Sequence, residues 1–88
     1  MEDINTNSSE LARNFAENYM DKLFYFCIKK TGSADEAEEL TQDIALNVLS
    51  GLARGDVPAN FHAWVWRIAR NRYARWAEAR RKAREAIA

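Results

Sequence analysis

Ser33-Ala34-Asp35-Glu36-Ala37-Glu38-Glu39-Leu40-Thr41-Gln42-Asp43-Ile44, running on through Leu52, spells an amphipathic helix together with its own start signal. Ser33 stands where a hydroxyl accepts from the unpaired amides of a first turn, and Glu36 three residues later completes the pattern of a capping box. Ala37, Leu40, Ile44, Val48 and Leu52 recur at steps of four with one step of three, which draws a single apolar stripe down one face. The helix is expected to end near Ala53 or Arg54, because Gly55-Asp56-Val57-Pro58-Ala59-Asn60 breaks the period. Such a stripe needs partners on either side.

Upstream, two adjoining stripes run from Ser8 or Ser9, as candidate cap, to Gly32. One is Leu11, Phe15, Tyr19, Leu23 and Phe26; the other is Ala12, Ala16, Met20 and Cys27. Lys29 and Lys30 suit the negative end of a helix, and Gly32 is a left-handed stop. Downstream, a third helix opens between Pro58 and Phe61 and turns Phe61, Trp64, Val65, Ile68, Ala69 and Trp76 inward, with Arg72 on the same side. Its last turns, from Arg80 to Ala88, offer little apolar surface and are expected to be loosely held. The expected fold is all-α, a three-helix bundle. Residues 1–8 are expected to form a flexible N-terminus and residues 9–88 one domain, with no internal repeat or linker.

Composition agrees with a helical class. A chain of 88 residues buries only about 60% of its unfolded surface, so the core must rely on large side chains. It has three Trp, three Tyr and four Phe, while three Gly and one Pro are too few for a turn-rich β fold. One cysteine rules out an internal disulfide, and one Cys with one His cannot build a tetrahedral zinc site, so neither metal nor cofactor is expected. The acidic, polar opening does not look like a signal peptide, and no apolar run approaches the length of a membrane span. A cytoplasmic protein without a membrane partner is therefore expected.

The formal net charge is zero, but the charges are segregated. Up to Asn60 eleven acids face five bases; from Phe61 onward eight bases face two acids. Two partners of opposite character would suit such a division. His62 has no accompanying nucleophile, Cys27 sits on an apolar face, and no glycine-rich phosphate loop is present, so an enzyme is not expected. On the third helix, Arg67, Asn71 and Arg75 form a line at four-residue steps, with Arg70 beside it and Trp66 and Tyr73 on Arg70's face. Guanidinium groups neutralise phosphate, an amide pairs with a base edge, and aromatic faces stack on unpaired bases. A solvated basic face with aromatics packed on a neighbour fits the same pattern. The acids of Asp35 to Glu39 likewise suit either a partner or the helix dipole alone.

Two segments read together favour the partner readings. Asp35-Glu36-Ala37-Glu38-Glu39-Leu40-Thr41-Gln42-Asp43 resembles the acidic signature of extracytoplasmic-function (ECF) sigma factors of bacterial RNA polymerase. Phe61-His62-Ala63-Trp64-Val65-Trp66-Arg67-Ile68-Ala69-Arg70-Asn71 resembles the second signature of their region 2, in order and at matching spacing. The resemblance covers about Phe15 to Lys82. It departs from the family pattern at Ala45, where Phe is usual, at Trp66 in place of Tyr, and at Arg75.

The resemblance implies a transcription-initiation domain with two contact surfaces. Glu38, Glu39, Gln42 and Asp43, with Leu46 and Leu49 as apolar neighbours, would dock on the β′ clamp helices of the RNA polymerase core. Arg67, Asn71 and Arg75, with Arg70 and Trp66, would hold the non-template strand of the −10 promoter DNA. The loop Ala53 to Asn60, with Arg54 and Asn60, would receive a flipped base. An anti-sigma factor is a further possible partner. Family members carry a second, helix-turn-helix domain for the −35 element, which these residues do not encode, so the chain is expected to be a fragment in preference to a truncated relative. The alternative is a helical adaptor module that binds protein and not DNA.

Overall fold

A computed structural model describes residues 2–56 and 58–87, with side chains for 9–56 and 58–86. Four helices follow one another: α1 Glu2–Asn18, α2 Met20–Thr31, α3 Ala34–Ala53 and α4 Phe61–Ile87. The all-α reading holds; the count rises because the expected first helix is divided at Tyr19. The backbone ladder continues through the break, with Tyr19 N donating to Phe15 O and Leu23 N to Tyr19 O. The division is therefore a bend. Two contacts to α4 hold it there: Tyr19 meets Phe61 edge-on at 5.7 Å and pairs its hydroxyl with His62 Nδ1 at 3.1 Å, while it keeps its local stacking on Phe15 at 5.8 Å. Two attachments to α4 outweigh the local preference for an unbroken helix.

The start of α1 also differs. The helical backbone begins at Glu2, ahead of the expected Ser8–Ser9 cap, and Ser9 lies exposed inside the helix. Met1 and the side chains up to Ser8 lie outside the described residues. So does Val57 in the loop before α4.

Helix α3 is the axis of the fold, and α1, α2 and α4 all pack on it. Its expected stripe of Ala37, Leu40, Ile44, Val48 and Leu52 is buried throughout. Phe15, Leu23, Cys27, Val65 and Ala69 complete the core from the other helices. Ala16, expected inward, is exposed. Ala45 packs half-buried against this core. Thr41 is the one buried polar side chain among the described residues, and its hydroxyl donates to Ala37 O at 2.7 Å, so it adds no unsatisfied group. Cys27 lies fully buried beside it; burial pushes the thiol pKa up, partly offset by its hydrogen bond with Thr41.

The capping box at Ser33 is half formed. Ser33 Oγ accepts from Glu36 N at 3.4 Å, but the Ser33 amide is taken by Thr31 Oγ1. The Glu36 carboxylate reaches instead to Arg80 on α4. At the other side of the turn, Gly32 takes φ 75°, the left-handed conformation that ends α2.

Helix α4 is the longest element, at 27 residues, and would span about 40 Å. It accounts for the elongated outline of 55 × 21 × 18 Å and a radius of gyration of 14.8 Å, against about 12 Å for a compact chain of this size. Its last turns, expected to be loose, are helical through Ile87. Arg81 pairs with Glu78 and Glu85 one turn to either side, and Arg80 lies over the Trp76 ring at 5.0 Å. Side-chain pairs of this spacing support a helix that has no core to lean on.

Candidate nucleic-acid interface

The chain enters α4 through a turn that builds a groove. Gly55, at φ 97°, reverses the backbone after α3, and Asp56 N donates back to Gly51 O at 3.0 Å. Asn60 then caps α4: its backbone oxygen accepts from Trp64 N and its side-chain oxygen from Ala63 N, both at 3.0 Å. Between this turn and the first turns of α4 lies an open groove of about 540 Å³, lined by Asp56, Pro58, Ala59, Asn60, Ala63, Trp64, Arg67 and Arg70. Two guanidinium groups, an indole and the amide of Asn60 therefore converge near a helix N-terminus, where the backbone dipole favours an anion.

Trp64 forms part of the groove because Gly51 lets it. A Cβ placed on Gly51 would stand 2.8 Å from Trp64 Cζ2, closer than any real contact. The indole thus lies against bare backbone. Trp64, expected inward, packs half-buried against the core; Gly51, a glycine inside a helical pattern, drew no expectation, and its reason is this packing. Asp56 falls within the loop expected to receive a base, though no role was assigned to it, and the turn brings it to the groove.

The expected strand-binding residues do not all gather there. Asn60, Arg67 and Arg70 line the groove, and Asn71 is exposed next to them on α4. Arg54 caps the C-terminal end of α3 and points its mostly exposed guanidinium at Asp56, at 3.4 Å. Trp66 turns the other way: it is half-buried against α2, edge-on to Phe26 at 5.5 Å. Tyr73 meets Phe26 from the same side at 6.3 Å. Arg75 faces α3 and shares a second groove, of about 310 Å³, with Glu39, Leu40, Asp43, Arg72 and Trp76.

The arginines of α4 fall into two sets. Arg72 clasps Asp43 with two hydrogen bonds, at 2.7 and 3.2 Å, and Arg80 and Arg81 hold Glu36, Glu78 and Glu85. Arg67, Arg70, Arg75 and, out on the tail, Arg84 make no ion pair among the described residues and are exposed. The acids divide in the same way. Glu38 and Glu39 are exposed and unpaired among the described residues, whereas Asp43, an expected docking residue, is half-buried and engaged by Arg72. Gln42 is exposed, and Leu46 and Leu49 present apolar surface on α3 at 65% and 39% exposure. Acidic and basic surfaces meet along the α3–α4 seam and do not occupy opposite poles.

Among the described residues no group of three His, Cys, Asp or Glu side chains could hold a metal ion, and no helix is long and apolar enough to cross a membrane.

The family described as sigma-70 region 2 matches residues 15–85. The ECF RNA polymerase sigma factor SigW of Bacillus subtilis (strain 168) is 30% identical over 53 residues, which is 60% of this chain and 28% of SigW. The chain therefore spans little more than a quarter of that relative's length. No solved structure matches it. With the family match extending from α1 almost to the end of α4, the chain belongs to the sigma-70 region 2 family, as a region 2 domain of the ECF type.

Proposed function

We propose that this domain takes part in transcription initiation by gripping two macromolecules at once. The groove before α4 captures the non-template single strand of the −10 promoter element, and the outer face of α3 docks on the β′ clamp helices of the RNA polymerase core. The observation that carries the reading is the convergence of unpaired Arg67 and Arg70 with Asn60 and Trp64 around one open groove. Arginines neutralise phosphates, and the indole offers a face to an unpaired base. Asn60 spends its side-chain oxygen on the α4 cap, so its amide hydrogens remain to meet base acceptors.

The docking face centres on Glu38, Glu39, Gln42 and the exposed Leu46 and Leu49, and Asp43 serves the α3–α4 seam. A protein of this kind works in the cytoplasm beside RNA polymerase, where an anti-sigma factor could compete for either surface. Unstacking a duplex base costs a few kcal/mol, more than a domain this small recovers by itself. Tethering to the polymerase raises the local concentration of the groove at the promoter and makes weak capture effective.

Anisotropy with a labelled −10 single strand tests the groove. Binding is expected to weaken as salt rises, and Arg67→Ala should lower affinity across sequences and reduce the logarithmic salt slope by about 0.7. Equal, salt-independent binding of duplex and single strand would defeat the proposal. Charge reversal at Glu38 and Glu39 should abolish capture of the clamp helices while leaving strand affinity intact. A domain that retains the clamp helices but ignores DNA would be an adaptor.

A further inference from the structure

A second depression, of about 500 Å³, lies on the far side of the α4 ridge, between α2 and Trp66. It is lined by Asp21, Lys22, Tyr25, Phe26, Lys29 and Trp66. Lys22, Tyr25 and Lys29, at steps of three and four, fall on one edge of α2. Tyr25 is 62% exposed and carries the Lys29 ammonium 5.1 Å above its ring. Lys30 lies 5.7 Å from the Phe26 ring and 5.4 Å from that of Tyr73, adding a further cation at the margin. Asp21 is the one acid among the lining residues. Singly exposed aromatics are ordinary on protein surfaces; one flanked by lysines and backed by two further rings is a particular combination.

This depression adjoins the groove assigned to the strand. Trp66 and Arg70 lie four residues apart on α4, about 40° around its axis and about 6 Å along it, a separation of about 7 Å at the radius of the side chains. One nucleotide of extended backbone covers that distance. A strand leaving the loop groove over Arg70 therefore arrives at Trp66 and Tyr25 without a gap.

We infer that the depression is a second stacking platform for the same single strand, one or two nucleotides beyond the part held before α4. Tyr25 stacks one base, Phe26 and Trp66 floor the site, and Lys22 and Lys29 neutralise the flanking phosphates. Stacking tolerates any base, so the platform adds affinity and not sequence preference. An acidic peptide would share the lysines, but it would have no use for the continuity with Arg70 and Arg67, which favours the strand. The inference rests on the strand-binding reading above, and its test separates the two.

Anisotropy is measured on the full chain with oligonucleotides of about five and about twelve nucleotides, lengths within the range one small domain covers. Tyr25→Ala is expected to leave the short strand's affinity unchanged and weaken the long one about fivefold or more. Lys22→Gln with Lys29→Gln should weaken the long strand and lower its salt slope, while Arg67→Ala weakens both lengths. Unchanged long-strand binding by Tyr25→Ala, with Arg67→Ala still impaired, overturns the platform and leaves the loop groove standing. Indifference to Arg67→Ala as well removes the underlying reading and the platform with it. Photocross-linking of a halogenated uracil in the long strand should mark Tyr25 or Trp66. Cross-links confined to the loop groove, or loss of the Tyr25 mark to an acidic peptide alone and not to unlabelled strand, count against the platform.

Discussion

Helix α3 buries seven of its 20 residues, whereas α4, with 27, buries Val65 and Ala69 among the described ones. The two helices are held by different forces. Three neighbours cover the inner face of α3, and transfer of its side chains from water stabilises it whatever stands outside. Its outer face is thus free to carry Glu38, Glu39 and Leu46. Helix α4 leans on the bundle as far as Trp76, with Arg72 clasping Asp43 along the way, and beyond that it relies on Arg80 and Arg81 pairing with acids. Charge on α4 is therefore partly structural. What remains for a ligand beside the bundle is Arg67, Arg70 and Arg75, which with Arg84 on the tail make no ion pair among the described residues.

The comparison can be broken first in the core. Ile44→Ala should cost about 2–5 kcal/mol in chemical denaturation, because a fully buried side chain in the middle of α3 leaves a cavity. A cost below that of any α4 substitution would reverse the ranking of the two helices. Gly51→Ala comes next, at about 1–3 kcal/mol, since the new methyl must displace Trp64. Strand affinity should fall with it, and tryptophan fluorescence should report the moved indole; an unchanged spectrum would mean the helix yields instead.

The α3–α4 seam gives a smaller effect. Asp43→Asn removes a two-bonded pair that is partly exposed, so only about 1 kcal/mol is expected, shrinking as salt is added. A larger loss, insensitive to salt, would show packing and not charge at work. Smallest is Arg81→Ala. It should reduce helical circular dichroism from the tail while the unfolding midpoint stays where it was, because no core residue depends on it. A shifted midpoint would show that the tail belongs to the cooperative unit.

Much of the fold was legible because helix periodicity is a local code. The α3 stripe of Ala37 to Leu52 and the stop at Gly32 were readable one turn at a time, and both stand as expected. The bend at Tyr19 was not readable, since its cause is Phe61 and His62, more than 40 residues away in the chain. Nor was the fate of Glu36, which completes a capping box on paper and binds Arg80 in space.

The site divides along the same line. Its ingredients, an arginine-rich helix after a turn and an acidic helix before it, are properties of the chain alone, and so is the family resemblance they carry. Which arginines are spent on the fold, that Trp66 faces α2 while Trp64 reaches the groove over Gly51, and that acids and bases meet along one seam were settled only by packing. The reason is physical. Helix type and charge depend on residues three or four positions apart, but the pairing of a long charged side chain depends on which helix face lies within its reach.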